Sequence, residues 1–470
     1  MSPSLPANPD VTVLRRTVRI ERPAAVVFAW HEQHGAFDRL APPWTRVSQV
    51  VRSGGIRDGA KLSMRQHLGP FRLSWQVEHA DFVENVQFRD IAVRSPFRSW
   101  EHLHRVEEIS PSACVWIDEV RYRLPGGTLG SWLLGARTRA ELDRLFTYRH
   151  AVLKADLEHT PQAAPQRILL GGASGLLGRS LAAFLSTQGH DVLRLVRHPA
   201  TQPDELQWNP NVAQLQAGPL DGIDTVINLS GANIAERGWS DRRRDTIMHS
   251  RKMATSTLLS AFKDMPCRPK LLLSASAVGY YGNRGDEVLR EDSATGIGFL
   301  AQVCSTWEDE ARRAESLGIR TVLLRTGVVL TPEGGALGKM LPLFRLGLGG
   351  PIGSGDAWMS WITPDDYAGA IQHAMATAAM SGPYNLVAPN PVRNDEFART
   401  LAAVLSRPCL VRTPAWALTT LFGQMAEETV LASQRAVPAG LVAARYSFRH
   451  PRLDQALQHV LGRTDAPPPP

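Results

Sequence analysis

Residues 168–179 read Ile168-Leu169-Leu170-Gly171-Gly172-Ala173-Ser174-Gly175-Leu176-Leu177-Gly178-Arg179. Three β-forming residues run into glycines spaced G-x-x-G-x-x-G, and an apolar Ala/Leu-rich helix follows at once. That order predicts a strand, a tight turn and a helix N-terminus, whose free backbone N–H groups bind a pyrophosphate. Gly172 suits the tight turn, Gly175 the close approach of phosphate, and Gly178 the packing of helix on strand. Gly172, Ser174, Gly175, Leu176, Leu177 and Gly178 are therefore the expected pyrophosphate cradle of a dinucleotide cofactor. A second strand, His190 to Val196, ends at Arg197, the position that reads the adenosine ribose. An acid there favours NAD; an arginine favours the 2′-phosphate of NADP(H).

The chain has 470 residues, too many for one ordinary core, so two or three domains are expected. Apolar residues make up 43% and charged residues 21%, values of a water-soluble globular protein. The net charge is +7, yet no dense basic run interleaves with aromatics. The tightest cluster, Arg242-Arg243-Arg244, precedes Asp245 in a helical pattern and reads as a solvated helix face. Nucleic-acid binding is not indicated, although an anionic ligand suits the charge. Cys114, Cys267, Cys304 and Cys409 are scattered and form no C-x-x-C pair, as in a reduced, cytoplasmic protein. No signal core or membrane-length apolar run is present.

Prolines and alanines at 161–165 interrupt a helical pattern just before the glycine turn and read as a linker. It separates a domain at 1–160 from an α/β domain at 166–404. Helix-like sequence at 405–463 suggests a small helical C-terminal domain, and the Pro-rich end at 464–470 has no reason to fold. In the first domain, Leu73, Trp75 and Val77 alternate with polar residues, as on a half-buried strand. Cys114, Trp116, Val120, Tyr122 and Leu124 share one face of another. Leu142, Leu145, Phe146, Val152 and Leu153 would lay a helical stripe on that sheet. An early strand, two short helices, a meander and a long final helix make an α+β helix-grip pattern. With the segment Pro96-Phe97-Arg98-Ser99-Trp100-Glu101-His102, it resembles the START-like (SRPBCC, polyketide-cyclase-like) superfamily. That resemblance implies an apolar ligand between sheet and helix; a filled core is the alternative. His31 and His34 stand at i,i+3, and His102 and His104 share a strand face without an evident third ligand, so no metal is expected.

The second domain alternates strands and helices as a doubly wound, parallel Rossmann sheet does. Asp224 to Leu229 leads into Ser230-Gly231-Ala232, which are expected to line the nicotinamide-ribose side. Lys270 to Ser276 leads into Ala277-Val278-Gly279-Tyr280-Tyr281-Gly282, and Arg320 to Leu330 forms a further strand. Several longer words carry a specific resemblance: Asn228 to Gly231 with Trp239 and Ser250-Arg251; Ser274 to Gly282; Phe299-Leu300-Ala301 with Trp307-Glu308; Trp358-Met359-Ser360-Trp361-Ile362; and Ala432-Ser433-Gln434-Arg435. Over residues 166–463 the chain resembles the atypical short-chain dehydrogenase/reductase type of epimerase, the YfcH-like group, with its C-terminal domain of unknown function.

The resemblance implies a bound NADP(H) and leaves the substrate, a small molecule, unidentified. The usual chemistry pairs a Ser with Tyr-x-x-x-Lys on the next helix. Ser276, with Ser274 as the lesser choice, matches the Ser. Aligned on Glu308, Leu300 and Cys304 stand where Tyr and Lys belong, and Arg251 stands where an Asn is usual. Tyr281 is the nearest substitute acid, with Arg251 the nearest aligned cation; packing is its other reading. Trp358 and Trp361 wall the cleft or pack in the core. Two functions stay open: an oxidoreductase or epimerase, and a non-catalytic NADPH-binding regulator whose N-terminal domain binds an apolar ligand or a protein partner.

Overall fold

The computed structural model describes residues 11–463, except 70, 161–162, 217 and 237. The chain divides into two compact units between residues 160 and 161. Part of the expected linker and all of the 464–470 tail lie outside the described residues.

The first unit runs β1 (Thr12–Ile20), α1 (Ala24–Glu32), α2 (Ala36–Leu40), β2 (Val47–Ser53), β3 (Lys61–Leu68), β4 (Phe71–Val83), β5 (Gln87–Arg94), β6 (Ser99–Ser110), β7 (Ala113–Arg123) and α3 (Gly127–Glu158). The strands form one sheet in the order β1-β7-β6-β5-β4-β3-β2, antiparallel throughout. Period-two alternation sends Trp100, Val120 and Tyr122 to one face, where Leu142 and Phe146 of α3 cover them. Farther along α3, Leu153 and Leu157 join Phe28 and Trp116 in a second cluster. A buried ion pair ties α2 to α3: Arg39 Nε and Nη2 reach the two Asp156 oxygens at 2.7 and 2.8 Å.

The second unit is built on seven parallel strands. Their order is Glu205–Gln207, Asp191–Val196, Arg167–Gly171, Thr225–Asn228, Leu271–Ala277, Arg320–Thr326 and Gly382–Leu386. Helices α4 (Leu176–Thr187), α5 (Asp241–Lys263) and α6 (Phe299–Arg312) are crossovers. Ile168 and Leu170 pack on Phe184 of α4, while Leu169 and Val226 pack on Leu258 and Phe262 of α5. Both faces are thus covered, which is why the strands read as near-continuous apolar runs. The chain reverses direction across the sheet between Arg167–Gly171 and Thr225–Asn228, the place where ligands enter such sheets.

The strand expected from Arg320 to Leu330 stops at Thr326. A Cβ on Gly327 would lie 2.6 Å from the Ser360 carbonyl oxygen, and Val328–Val329 pairs separately with Trp361–Ile362. The stretch after 405 shares cores with the Rossmann unit instead of building its own. Leu453 and Leu457 pack with Phe397 and Leu401, and Leu441 joins Ile362 and Tyr367.

Removing one partner of the buried Arg39–Asp156 pair takes the forked counter-charge from the other. Asp156→Ala should therefore destabilise the first unit by about 3–5 kcal/mol in urea unfolding. The double variant Arg39→Met/Asp156→Leu should recover most of that loss. A single variant within about 1 kcal/mol of the parent would refute a structural role for the pair.

Candidate functional site

The glycine turn stands at the switch point. Gly172 has φ +79°, and a Cβ there would lie 2.8 Å from the Leu229 carbonyl. A Cβ on Gly178 would lie 2.2 Å from the Gly172 oxygen, so only glycine lets α4 start this close to the strand. Gly175 caps α4 with no side-chain hydrogen bond to the first turn. The opening amides, those of Leu176, Leu177 and Gly178, are thus left uncapped by any side chain. Exposed Ser174 turns its carbonyl toward Arg179, at 2.7 Å. Gly171 pairs with Asn228, which brings Ser230, Gly231 and Ala232 to the same edge. The Ser230 amide donates to Asn228 Oδ1 at 3.1 Å, and the Ala232 amide to Ser250 Oγ at 3.0 Å. Ser230 Oγ is buried and has no hydrogen-bond partner among the described residues. Arg197 is exposed one residue past the neighbouring strand. A cradle that admits no Cβ, an uncapped helix start and an orphaned hydroxyl together fit a dinucleotide.

Two strands farther on, a buried polar chain begins at Ser276. Its Oγ donates to Glu308 Oε1 at 2.7 Å. Glu308 also takes Arg325 in a fork, Nε on Oε1 and Nη2 on Oε2, both at 2.8 Å. Arg325 Nη1 donates to Tyr281 Oη at 3.0 Å and to the Glu291 carbonyl at 3.0 Å. The Tyr281 phenol donates onward to Asn385 Oδ1 at 2.7 Å, and the Tyr280 ring lies 3.5 Å under the guanidinium. An arginine-bound carboxylate can only accept, so the Ser276 hydroxyl is the donor in its bond.

Of the two readings of Tyr281, acid and packing, the geometry bears on both. Its side chain is fully buried, both hydroxyl directions are used internally, and burial pushes its pKa up to about 12. A proton donor needs reach to the reacting atom, and in this structure the phenol is engaged with Arg325 and Asn385. The cation beside it is Arg325, not Arg251. Arg251 instead covers Gly231 and lies 4.9 Å over the Trp307 ring. Leu300 and Cys304 face Gly279, where an acid and its lysine would be needed. Burial pushes the Cys304 thiol up to about 11. Glu428, from the C-terminal segment, caps α6 by accepting the Phe299 and Leu300 amides at 2.9 and 2.7 Å. It borders a recess of about 50 Å³ that Gly279, Gly282 and Leu300 also line. Trp361 is wholly buried, whereas Trp358 is half-buried against Arg393 and Arg435.

Sequence reading missed Glu308 and Arg325 as site residues. It also missed a polar cluster in the first unit, where Asp90 and Asp118 flank His102 and His104. Asp90 is the third ligand-type residue that the sequence did not reveal.

A parallel Rossmann sheet with this turn defines a dinucleotide-binding α/β protein. Residues 168–386 match the NAD dependent epimerase/dehydratase family, and 413–460 match a domain of unknown function, DUF1731. An epimerase family protein of Mycobacterium bovis is 42% identical over 296 residues, 63% of this chain and 98% of the relative. The structure of human epimerase family protein SDR39U1, solved with NADPH, is 34% identical with TM-score 0.58, over 63% of this chain and 98% of that one. A nucleoside-diphosphate sugar epimerase structure from Corynebacterium glutamicum is 32% identical with TM-score 0.78, over 96% of this chain and 91% of that one. This chain belongs to the NAD-dependent epimerase family, in its SDR39U1-like branch. No described helix is long and apolar enough to cross a membrane.

Two measurements check the buried chain. Glu308→Gln keeps the shape but leaves Arg325 without its counter-charge, and should cost about 3–5 kcal/mol in chemical denaturation. In iodoacetamide mapping at pH 8, exposed Cys267 should label fast while buried Cys304, a protonated thiol there, stays unlabelled. Equal labelling of both would contradict the interior position of α6.

Proposed function

We propose that this chain binds NADP(H) and carries out hydride chemistry on a small-molecule substrate without a Tyr-x-x-x-Lys pair. The observation that carries the reading is the glycine turn and uncapped α4 start beside the orphaned Ser230 hydroxyl. Gly172, Ser174, Gly175, Leu176, Leu177 and Gly178 would hold the pyrophosphate, and Arg197 the 2′-phosphate. Ser230, Gly231 and Ala232 would hold the nicotinamide-ribose side. The cofactor supplies a hydride donor or acceptor when bound.

The chain's own part follows from the buried polar network. Ser276 spends its proton on Glu308, so toward a substrate it offers only lone pairs. It would orient a substrate hydroxyl by accepting its hydrogen bond, and it would not polarise a carbonyl by donating one. We assign Tyr281 to positioning: it braces Arg325, which braces Glu308, which fixes the Ser276 rotamer. The substrate class is open, and the likeness to the Corynebacterium nucleoside-diphosphate sugar epimerase makes nucleoside-diphosphate sugars one class to test. We infer a cytoplasmic setting from the four unpaired cysteines. For the first unit we infer a START-like helix-grip domain from its element order. An apolar ligand there would have to share the interior with buried imidazoles and carboxylates.

A second reading, a non-catalytic NADPH-binding regulator, draws support from Leu300 and Cys304 standing at the acid/base positions beside Gly279. NADPH absorbance, followed across carbonyl compounds and nucleoside-diphosphate sugars, separates the two. Turnover supports the enzyme; tight binding with no turnover across the panel supports the regulator.

Arg197→Asp should weaken NADPH binding about 10- to 100-fold, the worth of one charge-assisted contact, while NADH affinity changes little. Calorimetric titration measures both. An equal loss for the two cofactors would remove Arg197 from the 2′-phosphate role.

A further inference from the structure

The interior of the first unit carries a second constellation, unconnected with the nucleotide. Four adjacent strands contribute to it in direct cross-strand register: His79 of β4 opposite Asp90 of β5, Asp90 opposite His102 of β6, and His104 opposite Asp118 of β7. His102 and His104 are two apart on one strand and so share a face. All of these imidazoles are buried, as are Asp118 and His150 of α3.

The donor atoms are arranged in two layers. Asp118 Oδ1 accepts from His102 Nε2 at 2.8 Å, and His104 Nδ1 lies 2.9 Å from the same oxygen, off the line of a hydrogen bond. Asp118 Oδ2 is held in turn by His150 Nε2 at 2.7 Å and Trp116 Nε1 at 3.1 Å. With Asp118 on that side, the opposite ring nitrogens turn toward Asp90. Asp90 Oδ2 lies 3.4 Å from His104 Nε2 and 4.0 Å from His102 Nδ1. His79 Nδ1 lies 2.7 Å from the other Asp90 oxygen, likewise off the line of a hydrogen bond. Three donor atoms, one oxygen and two nitrogens, thus lie within 4.8 Å of one another.

The 3.4 Å contact is a long hydrogen bond, against the usual range of about 2.7–3.2 Å, and 4.0 Å lies beyond one. They are near the spacing of about 3.3 Å expected between ligands bonded at about 2.0–2.1 Å around a tetrahedral metal ion. A carboxylate behind a metal-binding imidazole, as Asp118 stands behind His102, is the usual means of fixing its tautomer and aim. A proton on His104 with the nearby Arg149 charge is one way to balance Asp90 and Asp118, and a metal ion between the three donor atoms is the other. Nitrogen donors exclude calcium and magnesium as the preferred occupant and favour zinc, iron(II) or their first-row neighbours.

We propose that the first unit binds one divalent first-row transition-metal ion through Asp90, His102 and His104, with Asp118 orienting His102.

The test uses the full chain, stripped with chelator and titrated with Co²⁺ under visible absorption, then with Zn²⁺. One equivalent of Co²⁺ should develop d–d bands that Zn²⁺ abolishes, and Zn²⁺ should raise the melting temperature, since it binds the folded state. Asp90→Asn and His104→Gln should each lower Co²⁺ affinity at least about 100-fold, because losing even a supporting group costs about 10- to 100-fold. Asp365, His450 and His459 of the second unit form the other ligand-type cluster among the described residues. His459→Gln should leave the bands unchanged. The proposal fails if the unmutated chain gives neither bands nor a melting shift, because a proton on His104 and the buried Arg149 guanidinium then supply the positive charge beside Asp90 and Asp118. It fails also if the bands survive both first-unit variants, or vanish in His459→Gln. The unmutated titration decides the matter even if a variant does not fold.

Discussion

The second unit turns on the buried fork between Arg325 and Glu308. Both side chains are withdrawn from water, which is costly unless every donor finds an acceptor. Here the guanidinium is met by both Glu308 oxygens, the Tyr281 phenol, the Glu291 carbonyl and the Tyr280 ring. The carboxylate in turn receives the Ser276 hydroxyl. One ion pair therefore joins strand Leu271–Ala277, strand Arg320–Thr326 and α6, and through Tyr281 and Asn385 it reaches strand Gly382–Leu386. It sits at the carboxyl ends of those strands, the edge at which a substrate would lie. The same interaction that holds this edge together also fixes the direction of the Ser276 proton.

At the start of α6, Leu300 and the Cys304 thiol lie against Gly279, and the thiol also meets the Ser276 hydroxyl and the Ala277 amide. The N-terminus of α6 keeps an anionic partner, but the partner is Glu428 from the C-terminal segment. A helix start attracts negative charge wherever it comes from, so a protein carboxylate satisfies it here. The C-terminal segment is thus part of the site's wall rather than an appendage.

Local chemistry made the cofactor side legible. A glycine turn must be contiguous in sequence, because strand, turn and helix start are consecutive pieces of chain, so Gly172, Gly175 and Gly178 announce it. The polar chain was not legible for the converse reason. Ser276 and Tyr281, Glu308, Arg325 and Asn385 come from four separate segments, and sheet order brings them together. One signal was present: Glu308 falls on the face of α6 that Leu300, Cys304 and Ala311 bury. A carboxylate on a core stripe demands a buried partner. Assigning Arg251 as the cation near Tyr281 failed because alignment gives position along the chain, not the neighbour across the sheet.

The first unit repeats the lesson on a β-sheet. Its inward face was read from Cys114, Trp116, Val120 and Tyr122, and the pattern passes through Asp118 without comment. By the same alternation, His102 and His104 fall between Trp100 and Val106, both buried. Charged and imidazole groups at inward positions of adjacent strands cannot each be solvated, so they must meet. Antiparallel register then decides which ones meet, and it sets His104 against Asp118 and His102 against Asp90. A sheet that places polar groups there forgoes the apolar contacts those positions would otherwise give. The first unit's interior is therefore organised around a polar centre, with aromatic clusters on either side of it.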